Sequence, residues 1–286
     1  MIPTPWAVAL SNPAELRALG LFAVEGRQVL QYVLDGAAGG PTAIVSVLAT
    51  SAAARVLELE SRLGDRVMVR TPAEMEALTG FNFHRGVLAL VRRPPQARVS
   101  DVIALALSAG PGGSSRFSIQ DSERRMSPSP LRPVLVAAEH LVDVDNVGSC
   151  FRNARAFGAA GVLLDERCPD PLYRKSVRTS LGTVLEVPWV QAPFLEILES
   201  LAEAGVATIG LTPDGGATAE LSDVADRLAG TGAVAMVVGN EGQGLSSEAR
   251  ARCTHVARIP MANGADSLNV ATALAVALYE WQVRRR

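Results

Sequence analysis

From Val134 onward, short and almost wholly apolar runs recur with helical stretches between them: Val134–Ala138, Val162–Leu164, Val184–Val187, Thr208–Leu211, Val234–Val238 and Val256–Ile259. No other feature restricts the architecture as strongly. A strand apolar at consecutive rather than alternate positions must be covered on both faces, which is the condition of a parallel sheet between layers of helices. The second half of the chain is therefore expected to be an α/β domain. Its last element, Ser267 to about Val283, carries Leu268, Val270, Leu274, Val276, Leu278 and Trp281 around nearly its whole circumference. A helix of that kind is buried on several sides, and burial against a second copy of the chain is the favoured reading.

The first half alternates more loosely. A helical stretch is expected from Val24-Glu25-Gly26 to Leu34, a strand at Ala43–Leu48, a helix at Ala52–Leu63, a short strand at Arg66–Val69 and a buried strand at Gly86–Val91. Thr71-Pro72-Ala73-Glu74 reads as a helix start, with Thr as cap, Pro in the first turn and an acid behind it. The pattern predicts a small α/β domain over residues 1–93. Residues 94–133 contain one short helical stretch, Val102–Leu107, then runs of Gly, Pro and Ser, and read as a partly disordered linker. Residues 134–286 form the main domain.

Composition limits the function classes. Of 286 residues 48% are hydrophobic and 20% charged, as in a soluble globular protein. No apolar run has membrane-spanning length, and a cytoplasmic location is expected. Cys150, Cys168 and Cys253 are scattered and form no disulfide framework. Three histidines offer no zinc site, so no metal is expected. A net charge of −2 speaks against nucleic-acid binding by bulk charge and leaves room for a local basic patch. Lys175 is the only lysine.

Three stretches carry chemistry. Asn146-Val147-Gly148-Ser149-Cys150-Phe151-Arg152 follows a strand and the acidic turn Asp143-Val144-Asp145. There Asn146 suits a helix cap, and Arg152, with Arg155 three residues on, could grip a phosphate through its two-pronged guanidinium. Gly239-Asn240-Glu241-Gly242-Gln243-Gly244 follows a buried strand but lacks the spacing of a dinucleotide fingerprint and the Gly-Lys-Ser/Thr of a P-loop. Its glycines admit close backbone approach, with Glu241 beside whatever binds. Ile259-Pro260-Met261 runs to Ser267-Leu268-Asn269, where Ser267 suits a cap and Asn269, within an apolar helix, needs a partner.

The order of these motifs resembles the SpoU (TrmH) family of RNA ribose methyltransferases over the whole chain from Val134, and Leu172–Arg178 resembles the family's basic segment. Phe22–Gly26 and His84-Arg85-Gly86-Val87 are similar, more loosely, to its N-terminal substrate-recognition domain. The resemblance implies a methyltransferase domain with a C-terminal trefoil knot, S-adenosyl-L-methionine as cofactor, RNA (tRNA or rRNA) as substrate and a homodimer. It implies Asn146, Arg152, Glu241, Ser267 and Asn269 as catalytic residues. Leu211, Gly239, Ile259, Met261 and Leu268 would hold the cofactor, and Arg85, Arg155, Arg174, Lys175 and Arg178 would contact RNA. Two positions depart from the pattern: Asn153 stands where Thr or Ser is usual, and Arg85 where Gln is common. Arginine is protonated at all working pH values, so Arg152 is expected to stabilise an alkoxide rather than take its proton. Two other readings stay open: a catalytically silent RNA-binding protein of this fold, and a base methyltransferase.

Overall fold

The computed structural model describes residues 13–79, 86–108, 133–213, 216–228, 232–262 and 266–284. The chain divides into two compact units, residues 1–95 with 170–186, and residues 96–169 with 187–286.

The first unit is built on a four-stranded sheet of β1 (Leu21–Glu25), β2 (Ile44–Ala49), β3 (Val67–Val69) and β4 (Val87–Arg92), in the order β1-β4-β2-β3. β4 runs antiparallel to β1 and to β2, and β3 parallel to β2. Leu21, Ala23, Leu48, Met75, Leu88 and Leu90 form one apolar cluster in this unit. The helix Pro72–Thr79 starts as its sequence predicts. Thr71 Oγ1 accepts from the Glu74 amide at 3.3 Å and the Glu74 carboxylate accepts from the Thr71 amide at 2.8 Å, so two otherwise orphaned donors are satisfied reciprocally.

Two expectations for this unit are corrected. Val24-Glu25 closes β1, and the helix begins after Gly26, whose φ of 96° breaks the strand. The Ala52–Leu63 stretch is two helices, Ser51–Val56 and Leu59–Leu63, separated at Glu58 by a left-handed φ of 51°.

The second unit holds seven strands: β5 (Val134–Ala138), β6 (Gly161–Asp165), β7 (Trp189–Ala192), β8 (Ala207–Leu211), β9 (Ala219–Glu220), β10 (Val234–Val238) and β11 (His255–Arg258). Their order is β7-β6-β5-β10-β8-β11-β9, and every neighbouring pair is parallel. All five residues of β5, of β6 and of β10 are buried, as a sheet covered on both faces requires. From β5 the chain lays β6 and β7 to one side, then returns to build β8 to β11 on the other. The pairing of β5 with β10 is therefore a topological switch point, where α/β sheets open a crevice beyond the carboxyl ends of their strands.

The structure redraws the expected boundaries. The helix Val99–Ser108, expected to lie within a linker, buries Val99, Val102, Ile103 and Ala106 in the core that holds Leu135, Leu163 and Ile197. The rest of that segment, 109–132, lies outside the described residues. Residues 170–186, expected in the main domain, belong to the first unit. Arg93 there grips both oxygens of Asp170 at 2.8 Å, and the helix Arg174–Thr179 packs on β1. Val184–Val187 is not a strand: Thr183–Leu185 forms a 3₁₀ turn following left-handed Gly182, and the strand is Trp189–Ala192.

Candidate active site

The loops leaving β8, β10 and β11 converge on a pocket of about 480 Å³. Its walls include all five expected cofactor residues, Leu211, Gly239, Ile259, Met261 and Leu268, together with Glu241, Ser267 and Asn269. A shallower opening beside it is lined by Val142, Asp143 and Asn146 and shares Asn240, Glu241, Gly242 and Asn269.

The loop after β10 owes its shape to local chemistry. Asn240 Oδ1 accepts from the amides of Gly242 at 2.9 Å and Gln243 at 3.0 Å, closing an Asx-type turn, and its backbone pairs with Gly244 in both directions. Gly239 is required by crowding: a Cβ there would lie 2.3 Å from the Gly244 carbonyl carbon. Its close approach is thus to its own loop. Gly244 turns the chain at φ +68°. Ser246 then caps the helix Ser247–Arg252 by accepting from the Ala249 amide at 3.1 Å.

This loop is fastened to the loop after β5 at three points. Buried Glu139 accepts from the Ser246 amide at 2.8 Å. Asn240 Nδ2 donates to the His140 carbonyl at 2.9 Å, with His140 held at a left-handed φ of 46°. Glu241 accepts from the Val142 amide at 3.0 Å, the Asp143 amide at 3.0 Å and Asn146 Nδ2 at 2.9 Å. Burial pushes the Glu241 carboxyl up, but the Asn146 side chain and the backbone donors outweigh it and hold the group below its ordinary value. Glu241 is a fixed anion at neutral pH and a weak proton acceptor.

The chain of side-chain bonds continues. Asn146 Oδ1 accepts from Asn269 Nδ2 at 2.9 Å, and Asn269 Oδ1 accepts from the amides of Ala271 at 2.9 Å and Thr272 at 3.2 Å. Asn269 is therefore the cap of the helix Val270–Arg284, a role the sequence suggests for Ser267, which is exposed on the pocket wall. Likewise Asp143, accepting from the Asp145 amide, caps the helix Val144–Ala156, and Asn146 lies buried within its first turn.

Asn146, Glu241, Ser267 and Asn269 are thus brought together, and Arg152 is not with them. Six residues on, at about 100° per residue, it faces about 120° away from Asn146 around the helix. It is exposed and lines neither opening. Asn153, seven residues on, returns to the Asn146 face and donates to the Ala271 carbonyl at 2.7 Å. Arg155 is exposed. Arg174, Lys175 and Arg178 are half-buried in the first unit, and Arg85 lies outside the described residues. Among the described residues no group of three or more His, Cys, Asp or Glu could hold a metal ion, and no helix is long and apolar enough to cross a membrane.

Sequence reasoning passed over Glu139, Asn240 and Arg250. An acid ending an apolar strand marks the first, an Asn between glycines the second, while Arg250 has no local signal.

A profile of the SpoU rRNA Methylase family matches residues 133–279. An uncharacterized tRNA/rRNA methyltransferase of Mycobacterium bovis is 37% identical over 207 residues, covering 72% of this chain and 62% of the relative, so the match spans less than two thirds of that protein. Another from Mycobacterium tuberculosis is 32% identical over 254 residues, 87% of this chain and 70% of the relative. The solved structure of an AdoMet-bound rRNA methyltransferase from Sinorhizobium meliloti superposes with a TM-score of 0.76 at 22% identity, covering 99% of this chain and 95% of that one. That likeness bears on the fold, and it extends to the parallel sheet whose strand ends frame the pocket. With the motif residues gathered at those strand ends and more than half of the chain matched, the chain belongs to the SpoU rRNA Methylase family.

Proposed function

We propose that this chain methylates RNA, transferring a methyl group from S-adenosylmethionine to a ribose 2′-hydroxyl of tRNA or ribosomal RNA in the cytoplasm. The observation that carries the reading is the bonded row Glu241–Asn146–Asn269 on the rim of a pocket at the ends of β8, β10 and β11. The pocket has the size of a small-molecule site. Leu211, Val238, Ile259 and Leu268 offer apolar walls for an adenine ring, and the sulfonium would lie toward the carboxylate rim. The bound AdoMet of the Sinorhizobium meliloti protein supports this choice. The trefoil knot implied by the family resemblance belongs to the same reading.

S-adenosylmethionine supplies a methyl group open to in-line displacement. The 2′-oxygen forms the new O–C bond as the S–C bond breaks, and the hydroxyl proton must leave. Glu241, with its pKa lowered and its lone pairs engaged by three donors, holds the loop and the charge of the rim rather than the proton. In this proposal water takes the proton, and Arg152 stabilises the alkoxide and the neighbouring phosphate. Arg152 lines neither of the two openings described, and in this proposal it serves the site of a second copy. Exposed Val276, Tyr279 and Val283, on one face of the last helix, support a homodimer that supplies that copy.

The test is transfer of isotopically labelled methyl from S-adenosylmethionine to tRNA and ribosomal RNA taken separately from cells lacking this gene, with the product nucleoside identified by mass. A 2′-O-methylnucleoside in one fraction is expected. A methylated base would overturn the ribose assignment. Cofactor binding with no transfer to any RNA, including precursor RNA, would favour a catalytically silent RNA-binding protein.

A further inference from the structure

Arg250 has no part in the chemistry above, yet it lines the pocket. It sits on the helix Ser247–Arg252, half-buried, and its guanidinium underlies the loop after β8: a Cβ on Gly216 would lie 2.8 Å from Arg250 Nη1. Gly216 has no need of a left-handed backbone, so its value there is the space that it leaves to that guanidinium. Among the described residues no hydrogen bond or ion pair engages the Arg250 side chain, whereas nearby Arg252 is tied to Glu199 and Glu248. The other charged side chains of the pocket are acids, Glu241 and Asp266, so Arg250 supplies the only positive charge among its described lining residues.

A half-buried guanidinium left unpaired at the wall of a pocket is desolvated without recompense until an anion arrives. S-adenosylmethionine carries one anionic group, the α-carboxylate of its amino-acid arm. Its adenine and ribose are neutral, and its sulfonium and ammonium are cationic. We infer that Arg250 binds the methionyl carboxylate of the cofactor, with Gly216 keeping the space that the guanidinium occupies. Arg250 thereby fixes which end of the pocket receives the amino-acid arm and lets the site discriminate against adenosine thioethers that lack it. The inference rests on the pocket's being the S-adenosylmethionine site.

Calorimetric titration of the full chain with three ligands tests it: S-adenosylhomocysteine, decarboxylated S-adenosylmethionine and 5′-methylthioadenosine. Arg250→Met is expected to weaken S-adenosylhomocysteine about tenfold or more, the scale of a lost charge-assisted pair. It should leave the other two, which lack the carboxylate, within about twofold of wild type. Arg250→Lys should recover part of the loss, and Gly216→Leu, which crowds the guanidinium, should reproduce the Met pattern. Retained methylthioadenosine binding shows that the variant is folded. Equal weakening of all three ligands, or unchanged S-adenosylhomocysteine affinity with weakened RNA binding, would overturn the assignment to the carboxylate. If the wild-type chain binds none of the three, the cofactor reading itself fails, an outcome distinct from selective failure in the variant.

Discussion

Replacing Glu241 with Gln separates a positioning carboxylate from a catalytic base. The native carboxylate receives the Val142 and Asp143 amides and the Asn146 side chain at 2.9–3.0 Å. Gln keeps one acceptor oxygen and turns an NH₂ group toward donors. A hydrogen bond to a charged group contributes about 1.5–3 kcal/mol when buried. Glu241 is exposed, so solvent competition reduces each to about 1 kcal/mol. Oε1 receives the Asp143 amide and Asn146 Nδ2, and the Val142 amide is shared between Oε1 and Oε2, so a Gln with its oxygen at the Oε1 position gives up only the shorter Val142 contact, about 1 kcal/mol, felt where the β5 loop is pinned. At 1.36 kcal/mol per decade, amide exchange should accelerate about fivefold in a peptide spanning residues 141–147. The assay is hydrogen exchange read by mass spectrometry, beside single-turnover methyl transfer between pH 6 and 9. Because the Glu241 pKa is depressed, its contribution is present above the ordinary carboxylate range and lost only in acid, as pH falls through the lowered value. The transfer rate of wild type should therefore show no Glu241 limb in that window. Unchanged exchange at 141–147, together with loss of a basic limb in Glu241→Gln, would refute the positioning role and make Glu241 the base.

Further outcomes follow from the same geometry. Arg152→Lys should lower the single-turnover rate by about tenfold or more, since a point charge cannot reproduce two-pronged contact; an unchanged rate and pH profile would remove Arg152 from the chemistry. Asn269→Asp keeps the acceptor for the Ala271 and Thr272 amides but faces Asn146 Oδ1 with an anion, so methyl transfer should fall while the melting temperature stays within a few degrees. Asn269→Ala should in addition lose about 1 kcal/mol of cap stability in urea titration. Val276→Arg should convert a dimer to a monomer in sedimentation equilibrium, and a wild-type monomer would count against the dimer. Burial pushes the Cys150 and Cys168 thiols up to about 12 and Cys253 to about 11, so a disulfide reagent at pH 8 should label the native chain far more slowly than the urea-unfolded one. Their raised values also mean that stability is kept below the ordinary thiol range and falls as pH rises toward 11 and 12.

The strands most legible in the sequence were those buried on both faces. Val134–Ala138 and Val234–Val238 are apolar at every position and form β5 and β10 to the residue. Trp189–Ala192 at the sheet edge is only alternately buried, so its short pattern resembles a loop, while the more apolar Val184–Val187 is bent by a left-handed glycine. Val24-Glu25 reads equally as the start of a helix, because nothing local shows that β4 pairs with it. At the site, Glu241 and Asn269 stood out as polar residues among glycines or apolar neighbours. Their partners did not, because Val142 and Asp143 act through backbone N–H groups, which carry no side-chain signature. Arg152 looked like a member of the same cluster because sequence proximity conceals the third of a turn that separates it from Asn146. The Arg93–Asp170 pair spans 77 positions, and with it the assignment of residues 170–186 to the first unit was beyond any local pattern.

On the proposed function, the switch point couples the cofactor and RNA sites. β5 and β10 lie in parallel register from Val134–Val234 to Ala138–Val238, so the loops leaving them emerge side by side. Glu139 to Ser246, Asn240 to His140 and Glu241 to Val142, Asp143 and Asn146 then join the two loops at both ends and the middle. One loop walls the pocket and the other opens the helix that carries Arg152. A ligand that orders residues 239–246 thereby lowers the cost of ordering residues 139–146, whichever of the two binds first. The coupling is reciprocal by thermodynamic necessity: the factor by which the cofactor tightens RNA must equal the factor by which RNA tightens the cofactor, and cutting any one of the three fastenings should reduce both alike.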